Sequence, residues 1–110
     1  MYGLQGEKIW IDDERLAPEG YRWCKNYNQA IATIDYFSKC ENGIDIICFD
    51  HDLGEEKSGY DIARYIVEHQ IPIESYEVHT ANPAGRKNII QLLNHYGYKR
   101  VDRYGNIIKN

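Results

Sequence analysis

Asp50, His51 and Asp52 are the side chains of this sequence whose types and spacing point most directly to chemistry. They follow the apolar run Ile44–Phe49, which is typical of a buried strand. Two carboxylates that flank an imidazole are costly to bury without a function. Such a pair suits a hard divalent cation, or it divides nucleophilic and proton-transfer roles between its members.

Two other segments place polar side chains directly at the ends of predicted strands. Asp12, Asp13 and Glu14 follow residues 8–11, and His79, Thr80 and Asn82 lie at the end of residues 76–79 and just beyond it. Because the carboxyl ends of parallel strands meet at one edge of a sheet, we expect the three segments to form one site.

The carboxylates of this site would repel one another without a cation among them. We expect Asp12, Asp13 and Asp50 to hold Mg²⁺ or Mn²⁺, both of which take oxygen ligands. An extended backbone would place the carboxylates of Asp50 and Asp52 on one side and His51 on the other. An ordinary acidic turn remains the simpler interpretation of residues 12–14.

The candidate catalytic residues are Asp50, His51, Asp52 and His79. Asp52 or either histidine would serve as general base and as the acid for the leaving group. Asp50 would hold the metal or attack directly and form an aspartyl-phosphate; the residue types leave both open. His79 taken alone is also typical of a hydrogen-bonded core histidine.

A candidate phosphate site adjoins this cluster at the start of the last predicted helix. Asn82 and Pro83 favour a helix start, Gly85 allows close approach, and Arg86 brings a cation to free backbone N–H groups. Thr80 and Arg15 complete the predicted phosphate-binding residues. Helix capping by Asn82 and pairing of Arg15 with nearby acids are the structural alternatives.

Strands and helices alternate along the chain, which predicts an α/β fold with a mostly parallel sheet. We expect strands at 8–11, 21–25, Ile44–Phe49 and 76–79, and helices that begin at Asn28, Ser58 and Asn82, with Gly97 ending the last. About nine residues separate the first two strands, too few for a helical crossover. Either a loop replaces the first helix, or this pair is not parallel.

The whole chain of 110 residues is expected to form one domain, with a terminal strand or hairpin within 98–110 around Gly105 and Asn106. Its net charge of −4 argues against binding long nucleic acids. No apolar run is long enough to span a membrane, and three cysteines without paired spacing favour a reducing cytoplasm.

Three segments together resemble the cyclic-phosphate processing receiver domains: IDDERLAP at 11–18, DHDLG at 50–54 with GYD at 59–61, and HTANPAGR at 79–86. The resemblance implies a three-layer flavodoxin-like fold with about five strands. It also implies a role in processing cyclic phosphates of nucleotides or RNA ends in bacteria and their phages.

A wider resemblance connects the chain to response-regulator receivers, whose acidic pair, phosphoacceptor and hydroxyl residue match Asp12 with Asp13, Asp50 and Thr80. A receiver also needs a lysine at the end of its last strand, and Lys99 and Arg100 come too early for that place. The leading hypothesis is therefore a metal-dependent phosphoesterase acting on a cyclic phosphate.

Two non-enzymatic hypotheses remain. A degenerate receiver would bind a phosphorylated small molecule or accept a phosphoryl group on Asp50, and an interaction domain would contact a partner through its acidic rim. The sequence does not determine the nucleobase of the substrate, the ring size of the cyclic phosphate or the oligomeric state.

Overall fold

Four parallel strands form the central sheet of the protein, which we describe from a computed structural model covering residues 6–109. The strands are β1 (Glu7–Ile11), β2 (Arg22–Cys24), β3 (Ile44–Phe49) and β4 (Ser75–Val78). Their order is β2-β1-β3-β4, and every neighbouring pair is parallel. The predicted receiver-like α/β fold is confirmed, with a continuous sheet of four strands rather than about five.

A loop takes the place of a helix between β1 and β2. The two strands are parallel, with Trp10 paired to Trp23, so the loop alternative is the correct one. The start of the loop is tied to β2, since the Trp23 indole donates to the Asp12 carbonyl at 2.7 Å and the Asp12 N–H donates to the Cys24 carbonyl at 3.1 Å. These bonds fix the backbone where the acidic residues begin.

The three helices are α1 (Tyr27–Ser38), α2 (Gly59–Glu68) and α3 (Pro83–His95). Ser58 with Asp61 forms the predicted capping box of α2, and Asn82 caps α3. The predicted cap of α1 was wrong. Asn26 rather than Asn28 caps it, because Asn26 follows β2 with an extended backbone and its side chain accepts from Gln29 N–H at 2.8 Å.

All three helices pack against one face of the sheet and share one core with it. That core contains the strand residues Ile9, Ile11, Ile47, Phe49, Tyr76 and Val78. The opposite face carries Trp10, Cys48 and Glu77 and is bordered by the 12–21 loop and by residues 102–105. The third layer therefore consists of irregular chain, because neither the first connection nor the tail forms a helix in the described residues.

The tail adds to the outer edge of β4 through single bridges rather than as a full fifth strand. Tyr76 pairs with Arg100, and Val101 pairs with Ile107 around the predicted turn. Pairing cannot continue along β4, because the next carbonyl on this edge, that of Val78, accepts a 2.8 Å hydrogen bond from Arg86 Nη1. The last predicted tail position, residue 110, lies outside the described residues.

Within residues 6–109, none of the helices has the length and apolar character needed to cross a membrane.

Candidate functional site

An acidic cluster of Asp12, Asp13 and Asp50 lies at the carboxyl ends of β1 and β3. One carboxylate oxygen of each residue lies within 4.8 Å of the others. The register of the sheet explains the meeting, since Ile11 pairs with Phe49 and the Asp50 N–H donates to the Ile11 carbonyl at 3.0 Å. The structure therefore brings the three predicted metal ligands together.

Asp12 is the most firmly held member of the acidic cluster. It is 1% exposed, and its Oδ1 accepts from the N–H groups of Glu14 at 2.8 Å and Arg15 at 2.7 Å. Asp13 reaches the cluster past Gly54, whose φ of +70° places it in the left-handed region that favours glycine. A Cβ at position 54 would lie 2.9 Å from Asp13 Oδ2, so this glycine also leaves room for the carboxylate.

The surroundings of Asp50 raise the pKa of its carboxyl. Burial raises the pKa of the Asp50 carboxyl, a hydrogen bond with Thr80 opposes the rise, and the Asp12 charge adds to it. Three oxygen donors of like charge at this spacing match the ligands that Mg²⁺ and Mn²⁺ take. The residues present therefore fit the predicted metal.

His79 lies between two carboxylates, each of which contacts one of its ring nitrogens. Its Nε2 is 3.0 Å from Asp12 Oδ2 and its Nδ1 is 3.2 Å from Glu77 Oε1. Its ring stacks on Trp10 with centroids 4.0 Å apart and planes 3° from parallel, and its side chain is 9% exposed. This geometry orients Asp12 and leaves neither ring nitrogen of His79 without a partner.

The roles of Glu77 and Trp10 were missed at the level of sequence. Glu77 precedes His79 by two residues, so a strand places both side chains on one face. A carboxylate between the two buried residues Tyr76 and Val78 of β4 was the available signal.

His51 and Asp52 form a pair that is separate from the acidic cluster. His51 Nδ1 is 3.0 Å from Asp52 Oδ1, and Asn82 Nδ2 donates to Asp52 Oδ2 at 3.2 Å. The expectation that Asp50 and Asp52 share one side was wrong, because β3 ends at Phe49 and the backbone bends at His51. The His51 carbonyl accepts from Gly59 N–H at 2.8 Å, which holds the bend.

The start of α3 contacts the pair of His51 and Asp52 rather than leaving an open anion site. Asn82 Oδ1 accepts from Gly85 N–H at 2.9 Å, and the same side chain bonds to Asp52, so Asn82 is both a helix cap and part of the site. A Cβ on Gly85 would overlap the His51 ring. The space beside Gly85 is therefore occupied by the imidazole of His51.

The two predicted phosphate-binding arginines lie beside β4. Arg15 Nη1 donates to the His79 carbonyl and Arg86 Nη1 donates to the Val78 carbonyl, both at 2.8 Å. Both side chains line one cavity of about 330 Å³. Thr80 lies at the end of β4, where its hydroxyl accepts from Asn82 N–H at 3.1 Å.

The sequence model of the cyclic-phosphate processing receiver domain matches residues 7–95. The chain belongs to this family. No curated protein and no solved structure matches it. The family match contains every predicted site residue and ends before the tail.

Receivers and this family member differ at the position of the receiver lysine. Arg100 pairs with Tyr76 rather than with Val78 at the end of β4, where the receiver resemblance would place a lysine. Arg86 occupies the adjacent outer edge from α3.

Proposed function

We propose that this domain is a metal-dependent phosphoesterase that opens a cyclic phosphate of a nucleotide or an RNA end. The observation that carries the proposal is the acidic cluster, in which carboxylate oxygens of Asp12, Asp13 and Asp50 lie within 4.8 Å of one another. The family description, cyclic-phosphate processing, supports the substrate class. The free cysteines among the described residues fit a reducing bacterial or phage-infected cytoplasm.

Asp12, Asp13 and Asp50 would hold Mg²⁺ or Mn²⁺. When bound, such an ion polarises a phosphoryl oxygen and lowers the pKa of a coordinated water. His79 acts as a positioning residue, because its Nε2 hydrogen-bonds to Asp12 Oδ2 while Glu77 fixes the opposite ring nitrogen.

His51 is the residue we assign to proton transfer. The tautomer of His51 that donates Nδ1–H to Asp52 Oδ1, 3.0 Å away, would present Nε2 as an acceptor. Among residues 6–109 this Nε2 has no hydrogen-bond partner. His51 would take a proton from the attacking water and return it to the alkoxide that leaves when the ring opens.

Arg15 and Arg86 are assigned to the charge of the substrate phosphate. Backbone carbonyls hold one nitrogen of each guanidinium, so the remaining N–H groups are pre-oriented for an anion. Binding this charge next to an acidic cluster offsets the repulsion between the carboxylates and the phosphate.

The second candidate is a degenerate receiver that accepts a phosphoryl group on Asp50. Its support is the Thr80 side chain, which lies near enough to Asp50 to lower the pKa of its carboxyl and follows β4, where the receiver resemblance places a hydroxyl residue. Exposure to acetyl phosphate with Mg²⁺, followed by intact-protein mass measurement, would show a stable phosphoryl adduct that Asp50→Asn abolishes. We expect no lasting adduct.

The test of the proposed function is a substrate panel. The protein is incubated with 2′,3′- and 3′,5′-cyclic nucleotides and with RNA ending in a 2′,3′-cyclic phosphate, in Mg²⁺, Mn²⁺ or EDTA. We expect ring opening that requires metal and is lost in Asp50→Asn, whereas Asp45→Asn, at the opposite end of β3, keeps it. If none of these substrates is opened, the proposed phosphoesterase activity is rejected.

A further inference from the structure

Four of the six arginines of the sequence line one cavity, although the chain carries a net charge of −4. We call this the arginine cavity; its volume is about 330 Å³, and its arginines are Arg15, Arg86, Arg100 and Arg103. The first two belong to the family match, and the last two come from the tail beyond residue 95. Three separate segments therefore bring their cations together beside β4.

These four arginines differ from the other two in their pairing. Arg22 has Glu7 at 2.7 Å and Arg64 has Glu68 at 3.1 Å. Within residues 6–109, none of the cavity arginines has a carboxylate oxygen within 4.0 Å. Guanidinium groups gathered without acidic partners favour the binding of an anion.

The two acidic residues that line the arginine cavity are already engaged. Glu77 bonds to His79, and Asp102 accepts from the N–H groups of Tyr104 at 2.8 Å and Asn106 at 2.9 Å in the tail turn. Neither carboxylate therefore neutralises an arginine directly. The cavity keeps a net positive charge, which suits a phosphate group.

A second cavity adjoins the arginine cavity on the side of His79. This aromatic cavity has a volume of about 570 Å³ and lies on the helix-free face of the sheet, with Trp10, Tyr21 and Tyr104 in its walls. It shares Arg15 and His79 with the arginine cavity. His79, which lines both cavities, also bonds to Asp12, so this side chain separates the cavities from the acidic cluster by a single residue. The aromatic cavity has the size and lining of a site for a nucleoside.

We propose that the two tail arginines of this cavity, Arg100 and Arg103, bind a second phosphate group of the substrate, one nucleoside away from the cyclic phosphate assigned to Arg15 and Arg86. The proposal rests on the proposed function and deepens it, because it defines the substrate as a nucleotide unit with a phosphate on each side. Two sources have this chemistry: the last phosphodiester of an RNA 3′ end, and the 5′-phosphate of a single cyclic nucleotide. The aromatic cavity holds the nucleoside between the two phosphates.

The kinetic test compares three substrates that differ only in the second phosphate. They are a 2′,3′-cyclic mononucleotide, its 5′-phosphorylated form and a dinucleotide ending in the same cyclic phosphate. Arg100→Gln/Arg103→Gln removes two cavity charges, and Arg22→Gln/Arg64→Gln removes the same charge elsewhere. We expect the second phosphate to lower KM about tenfold or more in the wild type and in the control pair, and not in the cavity pair.

The preferred substrate identifies the source of the second phosphate. A lower KM for the dinucleotide identifies an RNA end, and a lower KM for the 5′-phosphorylated mononucleotide identifies a free nucleotide. Equal KM values for all three substrates in the wild type, or equal losses in both variant pairs, would overturn the proposal. If the cavity pair fails to fold, the exposed single change Arg103→Gln is measured in its place.

Equilibrium binding separates this proposal from the proposed function. A nucleoside 3′,5′-bisphosphate should bind about tenfold or more tightly than the 3′-monophosphate, and only the cavity pair should lose the difference. If this difference in affinity is found but no cyclic phosphate is opened, the proposed phosphoesterase activity is rejected and the second phosphate site is supported. If the cyclic phosphate is opened but the affinities do not differ, the phosphoesterase activity is supported and the second phosphate site is rejected.

Discussion

At the scale of single residues, the proposed metal site depends on the charge of Asp50. Burial and the neighbouring Asp12 raise the pKa of its carboxyl, so the folded protein binds this proton more tightly than the unfolded chain does. The contribution of Asp50 to stability therefore falls as the pH rises from the ordinary range of an aspartate through its raised pKa. A bound divalent cation reverses this cost.

Replacement of Asp50 by asparagine should raise the thermal stability of the metal-free protein at neutral pH by a few degrees. One unit of pKa is worth about 1.4 kcal/mol, which solvent screening of a partly exposed group reduces. Thermal unfolding between pH 4 and 7 in EDTA checks this, with Asp45→Asn as the control. A variant that is less stable than the wild type at pH 7, with an unchanged pH profile, would contradict the account of Asp50.

Replacement of His51 by glutamine should lower kcat by about 10² to 10⁴-fold with little change in KM, because it removes the group that moves the proton. Asp52→Asn should lower kcat less, since the imidazole remains but loses its carboxylate partner at 3.0 Å. His69→Gln, which removes an exposed imidazole stacked on Tyr65, is the matched control. An unchanged kcat in His51→Gln would reject His51 as the proton-transfer residue.

At the scale of elements, the helices and strands with strong local sequence signals were predictable. The features that depend on contacts between distant residues were not. Strand β3 and the starts of α2 and α3 follow from an apolar run and from capping residues. A strand or hairpin in the tail was predicted, but its reduction to single bridges was not, because pairing along β4 is stopped by Arg86 on the Val78 carbonyl, a contact between two elements. The bend at His51 was missed for the same reason, since Gly59 holds it from eight residues away.

Gly85→Ala tests how α3 positions the proton-transfer residue. Alanine favours a helix by about 1 kcal/mol over glycine, yet its Cβ would overlap the His51 ring. We expect kcat to fall about 100-fold through displacement of the imidazole. In a His51→Ala background the same change should stabilise the protein, as measured by denaturant unfolding. Destabilisation in both backgrounds would place the cost of the substitution in the helix rather than at His51.

At the scale of the whole molecule, topology predicted the meeting of the acidic residues and could not predict the arginine cavity. Parallel strands in the order β2-β1-β3-β4 bring Asp12 and Asp50 to one edge, which alternation along the chain already indicated. The arginines come from a loop, a helix and the tail, and no local pattern connects them. They meet because the helix-free face leaves irregular chain beside β4.

The central claim is that the acidic cluster supports metal-dependent opening of a cyclic phosphate. Its most direct test follows a 2′,3′-cyclic phosphate by phosphorus NMR while Mg²⁺ or Mn²⁺ is titrated into the metal-free protein. We expect a rate of conversion to the monoester that rises to saturation with the metal, with no conversion in EDTA or in Asp50→Asn. Conversion at the same rate in EDTA, or in Asp50→Asn, would contradict it.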